Sequence, residues 1–336
     1  MEPLQVVWFF LIALLFAVYA ALDGFDLGAG FWSLFSKGEK ERSGIIAAVG
    51  PFWDGNEVWL LTGGGALFAA FPEAYATLFS GFYLAFIAAV AALILRAVSV
   101  EFYGKHDSPA WRRLWGVSFG LSSASVPVVL GVALGNILQG VPLDPGMNYT
   151  GSFTDLFGPY ALLAGLLVLS MFAAHGAAFL STRLEGGASE CARRRAAEMG
   201  VACAMLFVLC AGAMGLSRPE LIANFMAHKP LFLIPLSVVL TAAAVAVFSS
   251  LRRSRLALVC QGLCVVFAFA SVAAALFPNI VPTWDPQMPG LTIANASSSA
   301  LTQKAMLVIA AIGMPLVVAY HLWIYRSFGV KGGEAG

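Results

Sequence analysis

Nine runs of predominantly apolar residues, at 4–35, 45–70, 74–97, 114–137, 157–182, 197–216, 230–251, 255–276 and 302–326, are separated by short polar breaks. A bilayer core about 30 Å thick takes about 20 apolar residues of helix, so each run is long enough to cross it. Strict apolar/polar alternation is absent, which argues against a β-barrel. The pattern therefore predicts an all-α integral membrane protein with nine transmembrane helices in one membrane domain, 1–336. The first run lacks a basic stretch and a small-residue cleavage signature ahead of Asp23, and is expected to be a retained span rather than a signal peptide.

Composition sharpens this reading. Of 336 residues 60% are hydrophobic and 11% charged, where an ordinary soluble domain carries about 25% charge. A soluble enzyme is excluded. A formal net charge of +1 leaves no polybasic face for nucleic acid. The cysteines at 191, 203, 210, 260 and 264 are odd in number and form no C-x-x-C pair, so they read as buried packing thiols rather than disulfides or a zinc site. No connection is long enough for a soluble catalytic domain.

Lys and Arg gather in short cytoplasmic loops. Sixteen of the 19, from Lys37 to Lys331 and with Arg96 among them, fall after the first, third, fifth and seventh runs or in the C-terminal tail; only Arg218, Lys229 and Lys304 fall on the other side. The N-terminus is expected outside and the C-terminus in the cytoplasm, which requires an odd number of spans.

Ionisable side chains at membrane depth are costly and mark function by default. Asp23 and Asp26, in Leu22-Asp23-Gly24-Phe25-Asp26-Leu27-Gly28, are three apart and share a face of the first helix. Asp54 and Glu57 repeat the spacing in Gly50-Pro51-Phe52-Trp53-Asp54-Gly55-Asn56-Glu57-Val58-Trp59. With the second helix starting at Ile45, Asp54 is expected about 14 Å inside the cytoplasmic face. No Lys or Arg within these two spans is available to neutralise the four acids, so they are either protonated or face a hydrated interface, and either state suits proton passage. The alternative for Asp23 and Asp26 is capping of a helix broken at Gly24.

Gly24 and Gly28 form a small-xxx-small face that suits helix packing, as does Gly63-Gly64-Gly65. His175 and His321 lie within spans at similar depth; a hydrogen-bonded packing role is favoured over haem ligation for both. His106 and His228 fall in loops. Asn136 and Gln139 read as interfacial amides with backbone partners.

Three stretches, Leu22–Gly28, Gly50–Leu60 and Gly135-Asn136-Ile137-Leu138-Gln139-Gly140-Val141-Pro142, resemble subunit II of the cytochrome bd-type quinol oxidases, including the cyanide-insensitive relatives. The likeness runs along the whole chain and is most specific in the first 142 residues. It implies two four-helix bundles, 4–137 and 157–276, plus a peripheral ninth helix, 302–326, in the bacterial cytoplasmic membrane. It implies an obligate heterodimer with subunit I, which holds two b haems and one haem d and carries the quinol-oxidation loop; subunit II holds no haem and has no independent catalysis. Such complexes oxidise quinol, reduce O2 to water and build a proton-motive force by taking protons from the cytoplasm. By resemblance Asp54 belongs to a proton-entry route, with Asp23 and Asp26 nearby and Trp53 and Asn56 shaping the interface. Some members hold a structural quinone in subunit II or add a small accessory membrane subunit. Two features depart from the pattern. The connection 217–229 is short, and Glu57 stands where some relatives have a neutral residue.

A cation-coupled permease would also combine many spans, intramembrane acids and glycine breaks. It would place interrupted helices in corresponding halves around a midplane site, whereas here the acids are confined to the first two runs.

Overall fold

In the computed structural model, residues 2–285, 288 and 290–329 are described; Lys331, counted above on the cytoplasmic side, lies outside them. The first half of the chain forms α1 (Pro3–Ser33), α2 (Glu39–Val49), α3 (Trp53–Ala70), α4 (Pro72–Gly81), α5 (Tyr83–Phe102) and α6 (Pro109–Gln139). The second half forms α7 (Pro159–Arg183), α8 (Gly186–Ser217), α9 (Ala223–Ala227), α10 (Leu233–Ser250), α11 (Ser254–Leu276) and α12 (Ala300–Gly329). A short antiparallel ribbon of β1 (Asn279–Val281) and β2 (Leu291–Thr292) precedes α12. Proline opens α1, α4, α6 and α7, where its missing N–H breaks no helix bond.

Among the described residues, eight helical segments are long and apolar enough to cross a membrane: α1, α5, α6, α7, α8, the segment ending in α10, α11 and α12. α3 has the length, but Asp54, Asn56, Glu57 and Gly63-Gly64-Gly65 keep it below that hydropathy. Two expected spans differ in form. The run 45–70 is not one helix: Pro51 separates the charged, surface-lying α2 from α3, so Asp54 sits in the first turn of a helix rather than deep within one. The run 74–97 is divided at Phe82 and its helix continues to Phe102, which carries Arg96 into the interior instead of a loop.

α1 lies at the centre, packed on α3, α6, α7 and α11. Its crossing with α7 is a backbone contact: a Cβ on Gly28 would stand 1.8 Å from the Phe172 carbonyl oxygen, and one on Gly176 2.1 Å from the Gly28 carbonyl carbon. The expected packing role of Gly28 is thus met inside this chain. A Cβ on Gly24 would touch the Phe172 ring at 3.1 Å, and one on Gly63 the Phe16 ring at 3.0 Å, while Gly64 and Gly65 face open space. Because backbone cannot move aside as a side-chain tip can, Gly28→Ala is expected to lower stability by about 3 kcal/mol, the upper range for overpacking, read as a fall in the thermal midpoint of the purified protein.

On the face opposite the arginine-rich end, the connections 138–156 and 277–301 pack together. Val141 donates its N–H to Pro282 O at 2.9 Å, and Asn136 Nδ2 donates to Val132 O and Leu156 O, both at 2.8 Å, as expected of an interfacial amide. Arg218 fastens this layer: its guanidinium donates to Gln139 O and to Thr283 O and pairs with Glu220. α12 is largely exposed, with Leu301, Val308, Ile309, Ile312 and Leu316 facing outward. All five cysteines are free; Cys203, Cys210 and Cys264 are buried.

Candidate functional site

Asp23 and Asp26 project from one face of α1 and are fully buried, 0% and 1% exposed. The expectation that acids with no Lys or Arg in their own two spans are left without a cation is corrected by Arg96 of α5, itself 1% exposed. Its Nη1 meets Asp23 Oδ1 at 2.5 Å and its Nη2 meets Glu57 Oε2 at 2.8 Å, so one guanidinium ties α1, α3 and α5 together. Arg96 falls on the buried face of α5, in register with Ala89, Ala92, Ser99 and Tyr103. That spacing is present in the sequence, but a basic residue at the end of an apolar run reads as a loop charge.

Asn56 is specified at all its polar atoms. Its Nδ2 donates to Asp26 Oδ2 at 2.7 Å and to Leu22 O at 3.1 Å, and its Oδ1 accepts from the Tyr325 hydroxyl at 2.9 Å. One turn on, Trp59 Nε1 donates to His321 Nε2 at 3.0 Å, while His321 Nδ1 donates to Val317 O at 3.0 Å. These contacts hold the otherwise exposed α12 against the start of α3. Tyr325 was not singled out from the sequence, because nothing local marks a tyrosine that meets an asparagine 269 positions away.

Asp23 Oδ2, Asp26 Oδ1, Arg96 Nε and the Tyr19 hydroxyl are buried without a hydrogen bond from any described residue. The cluster therefore sets three carboxyl groups, Asp23, Asp26 and the half-buried Glu57, against a single cation. An uncompensated buried charge is costly, and one guanidinium does not balance three carboxylates.

Asp54 stands apart from this cluster. It is exposed, in the first turn of α3, and begins an open stripe of Asp54, Val58, Leu61, Gly65 and Phe68 at alternating spacings of four and three. Trp53 beside it is partly exposed, and Glu57, three positions on, is the residue of α3 that meets Arg96.

The two intramembrane histidines differ in their surroundings. His321 has both ring nitrogens engaged, and His175 is enclosed, its ring edge-on to Phe25 at 5.8 Å and its Nδ1 without a partner among the described residues. No group of three His, Cys, Asp or Glu among the described residues could hold a metal ion. A separate apolar groove of about 370 Å³ opens between α1, α9, α10 and α11, lined by Phe10, Leu14, Leu231, Phe269 and Phe277 together with Asn224 and His228.

Comparison with known proteins gives a consistent assignment. Residues 4–328 match the family described as cytochrome bd terminal oxidase subunit II. The chain is 34% identical to the cytochrome bd ubiquinol oxidase subunit 2 of Bacillus subtilis, over 98% of this chain and 96% of that one. It is 31% identical to the cytochrome bd-I ubiquinol oxidase subunit 2 of Escherichia coli K12, and 33% identical to a probable cytochrome oxidase subunit 2 of Haemophilus influenzae; each alignment covers 98% of this chain and 95% of the relative. Its fold is similar to a chain in the structure of bd oxidase from Geobacillus thermodenitrificans, with a TM-score of 0.80 at 19% identity, covering 98% of this chain and 100% of that chain. With its apolar spans and buried carboxylates, the chain belongs to the cytochrome bd terminal oxidase subunit II family and is a multi-pass protein of the bacterial cytoplasmic membrane.

Proposed function

We propose that this chain is the haem-free second subunit of a membrane-bound quinol:O2 oxidoreductase and that it carries protons from the cytoplasm toward the haems of subunit I. The observation that carries the proton role is the buried cluster in which Arg96 pairs with Asp23 and Glu57 while Asp26, buried beside them, has Asn56 as its hydrogen-bond donor. Asp54, exposed at the head of α3, takes up the proton. Glu57, the half-buried member, links that surface to Asp23 and Asp26. Asn56 fixes the orientation of Asp26, and Trp53 borders the entry. The names of the ubiquinol oxidase relatives support quinol as the substrate of the complex.

In this reading nine helices cross the membrane, α3 included, with the N-terminus outside and the C-terminus in the cytoplasm. They form two groups of four, 4–137 and 157–276, with 302–326 peripheral. Subunit I is the obligate partner, and the open stripe on α3 belongs to its interface; a small accessory membrane subunit is compatible with the exposed α12. Two b haems and one haem d reside in subunit I. No step assigned to this chain runs through a haem. The apolar groove at Phe10 and Phe269 has the chemistry to take a structural quinone.

Asp54→Asn in the assembled complex is expected to slow O2 consumption and proton uptake by on the order of 10²-fold, the low end for loss of a positioned proton carrier, with haem content unchanged. Unchanged turnover would remove Asp54 from the route. A reduced-minus-oxidised spectrum of the chain purified alone should show no stoichiometric haem, and a full haem signal would overturn the haem-free assignment.

A further inference from the structure

The turn between α10 and α11 reads Leu251-Arg252-Arg253-Ser254-Arg255-Leu256, with three guanidinium groups in four positions. Arg252 has φ 60°, the left-handed region in which helices usually end on glycine. Hydrogen bonds from Arg252 N to Ser249 O at 3.1 Å and from Arg253 N to Phe248 O at 2.8 Å hold this conformation. The turn is fastened to α8, because Glu190 Oε2 lies 3.6 Å from Arg252 Nη2 and also pairs with Arg193. The main-chain hydrogen bonds define the backbone on which the three arginines are carried.

Most other arginines at this end already have partners. Arg112 pairs with Glu39 and Asp107, Arg194 with Glu198, and Arg195 lies over the Trp32 ring at 4.5 Å. Arg253 and Arg255 are exposed and, among the described residues, have no acidic partner. α11 has no acidic residue in its first turn to offset them. Directly beside them Val247, Leu251, Leu256 and Val259 are exposed apolar side chains on the ends of α10 and α11. Unpaired positive charge bordered by hydrocarbon-facing leucine and valine is complementary to a lipid carrying an anionic headgroup.

We propose that this turn binds the phosphate of an anionic phospholipid through Arg253 and Arg255, with the acyl chains laid along the exposed apolar faces of α10 and α11. The apolar flank selects a lipid over free phosphate. The turn joins α10 and α11, whereas Asp23, Asp54 and Arg96 are carried by α1, α3 and α5, so the proposal does not rest on the proton route.

The test is native mass spectrometry of the assembled complex, titrated with phosphatidylglycerol or phosphatidylcholine. Each basic side chain at an anionic lipid surface is worth about fivefold in affinity, so Arg253→Gln with Arg255→Gln should weaken phosphatidylglycerol binding by about 25-fold and leave phosphatidylcholine binding unchanged. Arg253→Lys with Arg255→Lys should retain most of the binding and shows that the pair of positions tolerates substitution. Equal phosphatidylglycerol binding in the wild type and the Gln variant would overturn the proposal. So would an equal loss on Arg194→Gln, which would mean diffuse charge, or displacement of the lipid by millimolar inorganic phosphate, which would mean a free-anion site.

Discussion

Arg96→Met is expected to destabilise the subunit by about 3–5 kcal/mol, the range for removing one partner of a buried ion pair. Methionine matches much of the arginine stem, so the loss is chiefly electrostatic. Asp23, 0% exposed, would keep its carboxyl group with no cation within reach, and Glu57 would lose the contact that draws α3 toward α5. The measurement is the thermal midpoint and yield of the purified complex. Asp23→Asn in the same chain removes the stranded acid, so the double variant should recover part of the loss; a strictly additive pair would show that Arg96 and Asp23 are not coupled. Arg96→Met with unchanged stability would contradict the buried geometry itself.

The same cluster shows what the sequence could and could not reveal. Apolar length alone located most of the membrane helices to within a few residues, because a bilayer sets the length of each run regardless of neighbours. The i,i+3 spacing placed Asp23 with Asp26 on one face of α1, and both are buried there. The pairing of Arg96 was missed because a basic residue near the end of an apolar run looks like a loop charge, and helix ends are where pattern reading is least sharp. The break at Pro51 is legible in the proline itself, although the apolar pattern continues across it. The contacts of α12 were not legible: Trp59 with His321 and Asn56 with Tyr325 are separated by 262 and 269 residues, and no periodicity within one helix encodes its partner.

Those distant contacts carry the second large effect. Asn56→Leu is expected to cost about 2–4 kcal/mol, because it strands several polar groups at once while keeping the side-chain volume close. Asp26 Oδ2 would lose its 2.7 Å donor, Leu22 O its 3.1 Å donor and the Tyr325 hydroxyl its acceptor. Asp26 has no cation of its own, so Asn56 is its one hydrogen-bond donor among the described residues. Tyr325→Phe removes only the hydroxyl at the far end and should cost about 1 kcal/mol. Thermal denaturation of both single variants and the double variant checks the linkage. A network that runs through Asn56 makes the Tyr325→Phe cost vanish once Asn56 is leucine, whereas a full second loss in the double variant would mean that α12 is held independently of the buried acid. The variants also separate stability from proton transfer: Tyr325→Phe leaves the contact of Asn56 with Asp26 in place, so oxidase turnover should change less than twofold, while Asn56→Leu frees Asp26 to turn from its present orientation and should lower both turnover and stability.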